Sequence, residues 1–369
     1  MKLIRQKIMA VLLLTALLTA CAAPETEPTA AVTIPATTAA ATEAPATESS
    51  TKSTTAPTTA PTTAPTETQP QEERFLLTFA GDCTFGSNPV NRYALSSFEN
   101  TIGDNWAYPF ANVLSYFEND DCTLVNLEGT LTNTNRRLDK AFNFKGPPEY
   151  VNILTENSVE AVSLANNHAM DYAQEGYDNT GATLENAGVF YAETNKSTVF
   201  TTESGLTIGI YGTVYYSMDD ADMVAEITAM KEAGVDVIIY APHWGAEDYY
   251  KPNNIQVDSG HAAIDAGAQI VWGSHPHVLQ PIEAYGDGII YYSMANFSFG
   301  GNIYPPDYDT VLIQQEVIRH PDGKVTLGET TIVPCSVTSE KGRNNFQPTP
   351  CPEGTEQYVR VMQKLGLSQ

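Results

Sequence analysis

Five short polar groupings in this chain carry the residue types of a divalent-cation site: Gly81-Asp82, Asn126-Leu127-Glu128-Gly129, Ala165-Asn166-Asn167-His168, Pro242-His243-Trp244-Gly245 and Gly273-Ser274-His275-Pro276-His277. Their donors are imidazole nitrogen and carboxylate or amide oxygen without thiolate, a set that suits Mn, Fe or Zn better than copper(I) or an iron-sulfur cluster. His275 and His277 weigh most, because two imidazoles separated by one residue can reach two adjacent ions. Asn166, Asn167 and His168 put two amides and an imidazole in one turn, a combination less typical of a helix cap. Gly81-Asp82 and Asn126-Leu127-Glu128, taken alone, are also ordinary turn, cap or strand-end residues. His261 falls in a helical pattern and His320 beside a Pro-Asp-Gly turn, so both are assigned structural or surface roles.

What unites the groupings is that each closes an apolar, strand-like run. Strands are expected over 76–80, 123–127, 159–164, 207–211, 235–240 and 269–272, alternating with helical patterns over 107–118, 148–157, 176–187, 221–233 and 256–266. That rhythm is the α/β one. The runs 289–294, 310–318 and 324–333 have no long helix between them, which adds antiparallel pairing and makes the sheet mixed. Residues 356–365 read as a short terminal helix or a loose end. In α/β sheets the carboxyl ends of strands line the ligand crevice, so groupings far apart in sequence would converge there.

The ends of the chain say where such a domain works. Lys2, Arg5 and Lys7 precede an apolar run, Ile8 to Leu18, too short to span a bilayer comfortably, so residues 1–20 read as an export signal. Leu18-Thr19-Ala20-Cys21 resembles the lipobox of bacterial lipoproteins, which makes Cys21 the lipid-bearing N-terminus on the outer face of the cytoplasmic membrane. Residues 21–73 are nearly all Thr, Ala, Pro, Ser and Glu and cannot build a core; they read as a disordered stalk. Residues 74–335 form the folded domain and 336–369 a C-terminal extension.

Against 19 Lys plus Arg stand 44 Asp plus Glu, a formal charge of -25. This argues against nucleic acid and an anionic lipid surface as partners and favours cations. A polyanionic substrate would need metal ions or a local basic patch, with Arg137 and Lys145 as candidates. Among the cysteines, Cys335 with Cys351 is the one pairing expected, because Cys83 closes one strand and Cys122 opens another.

Together the five groupings, with Asp171-Tyr172, Gln280, Tyr292-Ser293 and Asn296-Phe297, resemble the bacterial capsule synthesis protein CapA family, also called poly-gamma-glutamate biosynthesis proteins. That family is related to the calcineurin-like metallophosphoesterases, and the likeness spans Leu76 to Phe299. The resemblance implies a layered αββα sandwich with mixed sheets and a two-ion site. Asp82 and His277 would hold one divalent ion, Asn167, His243 and His275 the other, and Glu128 would bridge them. Such a pair activates a water and neutralises charge on a transferring phosphoryl group. His168 would be the acid for the leaving oxygen, oriented by Asp171. The implied role is synthesis, export or anchoring of an anionic polymer, alone or with its synthesis machinery. A secreted phosphoesterase unrelated to capsule and a non-catalytic, metal-stapled binding module are the alternatives. The chain departs from the pattern at Thr84, where the superfamily has a histidine, at Ala173 and Ala295, where the family has glycine, and in the wider spacing of Glu247-Asp248-Tyr249.

Overall fold

The computed structural model describes residues 71–367. The expected export signal, the expected lipidation site at Cys21 and nearly all of the expected stalk lie outside the described residues. Two mixed β-sheets stack face to face with helices on both outer faces, the layered α/β arrangement that the sequence implies. In the first sheet Glu73–Thr84, Cys122–Leu127, Ala161–Ser163 and Phe190–Ala192 run parallel. On its other side Glu73–Thr84 pairs antiparallel with Asp309–Arg319, which forms a hairpin with Val325–Ser336. The second sheet sets Thr207–Val214, Val237–His243, Ile270–Trp272 and Gly288–Tyr291 in parallel between antiparallel edges, Lys196–Thr201 and Ile282–Tyr285.

Val237–His243 shows why the layers form. Val237, Ile239 and Ala241 enter the core between the sheets with Leu77, Phe79 and Trp272, while Ile238 and Tyr240 face the other way. There they lie beneath Met223, Ile227 and Met230 of the helix Asp220–Glu232 and Ala263 and Ile264 of the helix Asn254–Ala266. A strand buried on both faces reads as a continuous apolar run with no polar alternation. Each buried Val or Ile here contributes roughly 1.5–3 kcal/mol, so the strand ends that carry the polar groupings are held by buried core.

Two expected helices are shorter than the pattern implies. Residues 107–118 split into a single turn, Tyr108–Phe110, and the short helix Leu114–Phe117. Residues 148–157 become the turn Pro148–Val151 followed by Asn152–Thr155. Of the strands that the sequence did not announce, Phe190–Ala192 and Asn296–Phe299 are too short to show a period. The second of these matters, since it pairs with the end of Glu73–Thr84 beside Asp82.

The C-terminal residues are a helix over Glu356–Lys364 that packs on the first sheet. Its anchor is buried Asp309, which accepts from Arg360 Nε at 2.6 Å and Nη2 at 2.7 Å, Lys364 Nζ at 2.7 Å and Gln357 Nε2 at 3.1 Å. Burial alone would raise the Asp309 carboxyl, but its bonds to Arg360 and Lys364 outweigh that and hold it below the ordinary carboxylate value. A carboxyl depressed in the fold stabilises it fully above its unfolded value, about 3.9, and loses that contribution as pH falls through the folded value. Asp309→Asn is therefore expected to lower the unfolding free energy by about 2 kcal/mol at pH 7. In urea denaturation the gap from the parent protein should narrow at about pH 3; a gap independent of pH would contradict this.

The expected bond between Cys335 and Cys351 is not formed: Cys83, Cys122, Cys335 and Cys351 are all free thiols. Cys335 pairs with Pro350 across the antiparallel ladder, so Cys351 is one residue out of register with it. Cys83 pairs with Leu127 and Cys122 with Leu77 on neighbouring parallel strands, which sets these two thiols at opposite ends, as the sequence predicts.

Candidate metal centre

The polar groupings meet where the parallel strands of both sheets end. Asp82 lies near the end of Glu73–Thr84, Glu128 directly follows Cys122–Leu127, and His243 ends Val237–His243. Asn167 and His168 follow Ala161–Ser163, and His275 and His277 follow Ile270–Trp272. Glu128 Oε1 has three imidazole Nε2 atoms around it: His168 at 3.7 Å, His243 at 3.8 Å and His277 at 3.9 Å. His277 Nδ1 lies 3.1 Å from Asp82 Oδ2, Asn167 Oδ1 2.8 Å from His243 Nε2, and His275 Nδ1 3.1 Å from His243 Nε2. All six residues to which a ligand role was assigned are thus gathered.

Gly81 makes the meeting possible. A Cβ there would stand 2.0 Å from the Ala295 carbonyl oxygen and 2.8 Å from that of Met294, while the Asp82 N–H donates to the Ala295 carbonyl at 2.9 Å. Only glycine lets the two backbones pass so close to the acid they position.

The electrostatics suit a bound cation. Both Glu128 oxygens are buried and have no hydrogen-bond partner, and buried Asp82 Oδ2 has only the His277 ring beside it, at 3.1 Å. A buried acceptor left unpaired costs roughly 1–3 kcal/mol, more when charged. Atoms sharing one ion at about 2.1 Å each lie about 3–4 Å apart, which is the spacing around Glu128 Oε1. Burial raises the Glu128 carboxyl; charged His277 works against that and Asp82 adds to it. Burial also drives His243 well below its ordinary value and brings His275 down to about 4, in each case with help from a neighbouring imidazole. Both are therefore neutral near pH 7, the form that binds a metal. His277 is the exception: burial opposes its charge, but Glu128 and Asp82 prevail and raise it. A proton on His277 occupies the place where positive charge is wanted, and a bound cation would displace it.

A second layer of side chains orients the first. Ser274 Oγ is 2.8 Å from His243 Nδ1, and Asn296 Oδ1 is 2.9 Å from His277 Nδ1. Asn126 donates to Asp82 Oδ1 at 2.8 Å, and Asn166 donates to Asn126 Oδ1 at 3.2 Å and to the Leu127 carbonyl at 2.9 Å. Such partners fix ring orientation and raise ligand basicity. Thr84 lies outside the donor set; its hydroxyl donates to the Glu128 carbonyl at 2.9 Å and so braces the residue in the middle. His275 and His277 have φ of 96° and 57°, left-handed values that cost roughly 1–3 kcal/mol in a non-glycine residue. Ala173 and Ala295, at φ 55° and 61°, explain why the family pattern has glycine there.

His168 Nδ1 is 2.7 Å from Asp171 Oδ2, which also accepts the Phe144 N–H at 2.6 Å. Burial lowers the His168 ring, and Asp171 works against that shift. Lys140, to which sequence reasoning gave no role, donates to the Asn167 carbonyl at 2.9 Å and lies 2.5 Å from Asp171 Oδ1. Lys145 is not a surface cation: it is buried, and its Nζ is bonded to the Thr134 carbonyl and Asn135 Oδ1. Arg137 is exposed. His261 stacks on Tyr285 and pairs with Glu283, and His320 bonds Glu72 and Thr326.

Residues 76–301, more than half of the chain, match the family model of the bacterial capsule synthesis protein PGA_cap. The chain belongs to this family. The PGA_cap match takes in every grouping around Glu128. Among relatives, the chain is 28% identical over 292 residues to the PGA biosynthesis protein CapA of Bacillus subtilis (strain 168), covering 72% of this chain and 74% of that protein. It is 27% identical over 260 residues to the capsule biosynthesis protein CapA of Bacillus anthracis, covering 62% of this chain and 61% of that protein. A solved structure of the Haemophilus influenzae NAD nucleotidase aligns with a TM-score of 0.42 at 11% identity, over 81% of this chain and 64% of that one. PGA_cap proteins are components of capsule synthesis, and this family member has, among its described residues, no helix long and apolar enough to cross a membrane.

Proposed function

We propose that this PGA_cap protein is a metal-dependent hydrolase of the cell surface, acting in synthesis, export or anchoring of a capsule-like anionic polymer of the poly-gamma-glutamate type. The observation that carries this reading is the Glu128 carboxylate, buried with both oxygens unpartnered among three imidazoles. Asp82, Glu128 and His277 would hold one divalent ion, and Glu128, Asn167, His243 and His275 the other. When bound, such a pair supplies a nucleophile at neutral pH and stabilises charge on the substrate oxygens. His168 Nε2, on the Glu128 side of its ring, would hold the proton for the leaving oxygen, and Asp171 would stabilise the imidazolium through Nδ1. Phe144, 4.6 Å from the His168 ring centroid, keeps that face dry. The ions, Lys140 and exposed Arg137 would offset the acidic surface toward a polyanion. A lipid on Cys21 would hold the domain outside the membrane.

The test pairs turnover with a cellular readout. Purified mature protein should hydrolyse generic phosphoesters with added Mn, Fe or Zn and lose that turnover in His243→Ala and His277→Ala, and deletion of the protein should reduce surface polymer. Turnover with unchanged polymer favours a phosphoesterase unrelated to capsule. Reduced polymer without turnover under any metal, restored by a His168→Ala chain, favours a metal-stapled binding module.

A further inference from the structure

Glu247 has no role in the two-ion arrangement above, yet it lies against it. A Glu247 carboxylate oxygen and one ring nitrogen each of His275 and His277 fall within 4.8 Å of one another. We infer that Glu247 is a further carboxylate ligand of the metal centre, on the side of His275 and His277; this rests on the two-ion reading. Asp82, Glu128 and His277 form a second group within the same distance, so His277 is common to both.

The charge balance asks for such a group. Two divalent ions bring four positive charges, of which Asp82 and Glu128 offset two, while neutral His243, His275 and Asn167 offset none. A third carboxylate lowers the net charge of the centre by one more and still leaves it positive toward an anionic substrate.

An acid on a loose surface loop would carry no such meaning, but the backbone around Glu247 is fixed on both sides. The Trp244 N–H donates to the Ser274 carbonyl at 3.0 Å and the Asp248 N–H to the Pro276 carbonyl at 2.9 Å, so the loop is strapped to the His275-Pro276-His277 turn itself. Gly245 takes φ 81°, where a Cβ would meet the Gln256 side chain at 2.7 Å. Gln256 donates to Gln280 at 2.8 Å, and Gln280 donates to the Tyr249 carbonyl at 2.8 Å. Asp248 accepts φ 64°, which turns the chain just past the acid. This is conformational cost spent on holding one exposed carboxylate beside two imidazoles.

Isothermal titration of Mn2+ into the mature protein, with elemental analysis of the dialysed samples, tests it. Glu247→Gln and Glu247→Ala should weaken binding of one ion by about tenfold or more and leave the melting temperature in EDTA unchanged. Asp248→Asn, which removes the same charge one residue away and suits a left-handed φ, should bind Mn2+ like the parent. Parent-like binding by Glu247→Gln, or equal weakening by Asp248→Asn, overturns the inference while leaving the two-ion reading intact. Absence of Mn2+ binding by the parent protein overturns both.

Discussion

Replacing Glu128 with glutamine is expected to weaken Mn2+ binding by on the order of 100-fold or more and to erase the rise in melting temperature that Mn2+ gives the parent. Glutamine keeps the size and shape of the side chain, so the core of the site is not opened. It removes the charge and one of the two acceptor oxygens, and an amide cannot serve two ions at once. At a Mn2+ concentration of about 100 times Kd, binding should add about 2.7 kcal/mol to the parent's stability. The metal-free comparison runs the other way. Both Glu128 oxygens are buried without partners, so losing that carboxylate should leave the melting temperature in EDTA unchanged or higher, as is usual for residues kept for function. A Glu128→Gln protein that still gains stability from Mn2+ would show that the ions sit elsewhere.

His168→Ala should separate chemistry from binding. Loss of a general acid typically costs 10²–10⁴-fold in rate, and His168 is expected to follow this for substrates with a poor, alkyl-type leaving group. With a leaving group such as nitrophenolate, which departs unprotonated, the loss should shrink to severalfold. Mn2+ stoichiometry should stay at the parent value, because both ions are assigned to Asp82, Glu128, Asn167, His243, His275 and His277 and His168 is not among them. Rate loss that is the same for both substrates, or accompanied by loss of metal, would remove His168 from the proton-transfer role.

Much of this was legible without coordinates, for a physical reason. Residues such as Val237, Ile238 and Ile239 are buried on both faces of a strand, so the run stands out, and the polar residue that ends it stands out with it. The convergence of Asp82, Glu128, Asn167, His243, His275 and His277 follows from parallel strands sharing one end of each sheet. What was not legible depends on contacts between loops. Ser274 and Asn296 stand in the quoted groupings without a role of their own until the fold places His243 and His277 beside them. Lys140 lies in a loop with no period, and only the fold brings it to Asp171. Lys145 read as a candidate for a basic patch because nothing local shows that the Thr134 carbonyl and the Asn135 side chain close over it. The pairing of Cys335 with Cys351 failed on a register offset of one residue, which sequence spacing cannot reveal.

Anomalous diffraction from crystals grown with Mn2+ tests the central claim most directly. Two peaks are predicted, one touching Asp82, Glu128 and His277 and the other touching Glu128, Asn167, His243 and His275. Data of good quality with no anomalous peak in contact with Glu128 would contradict it.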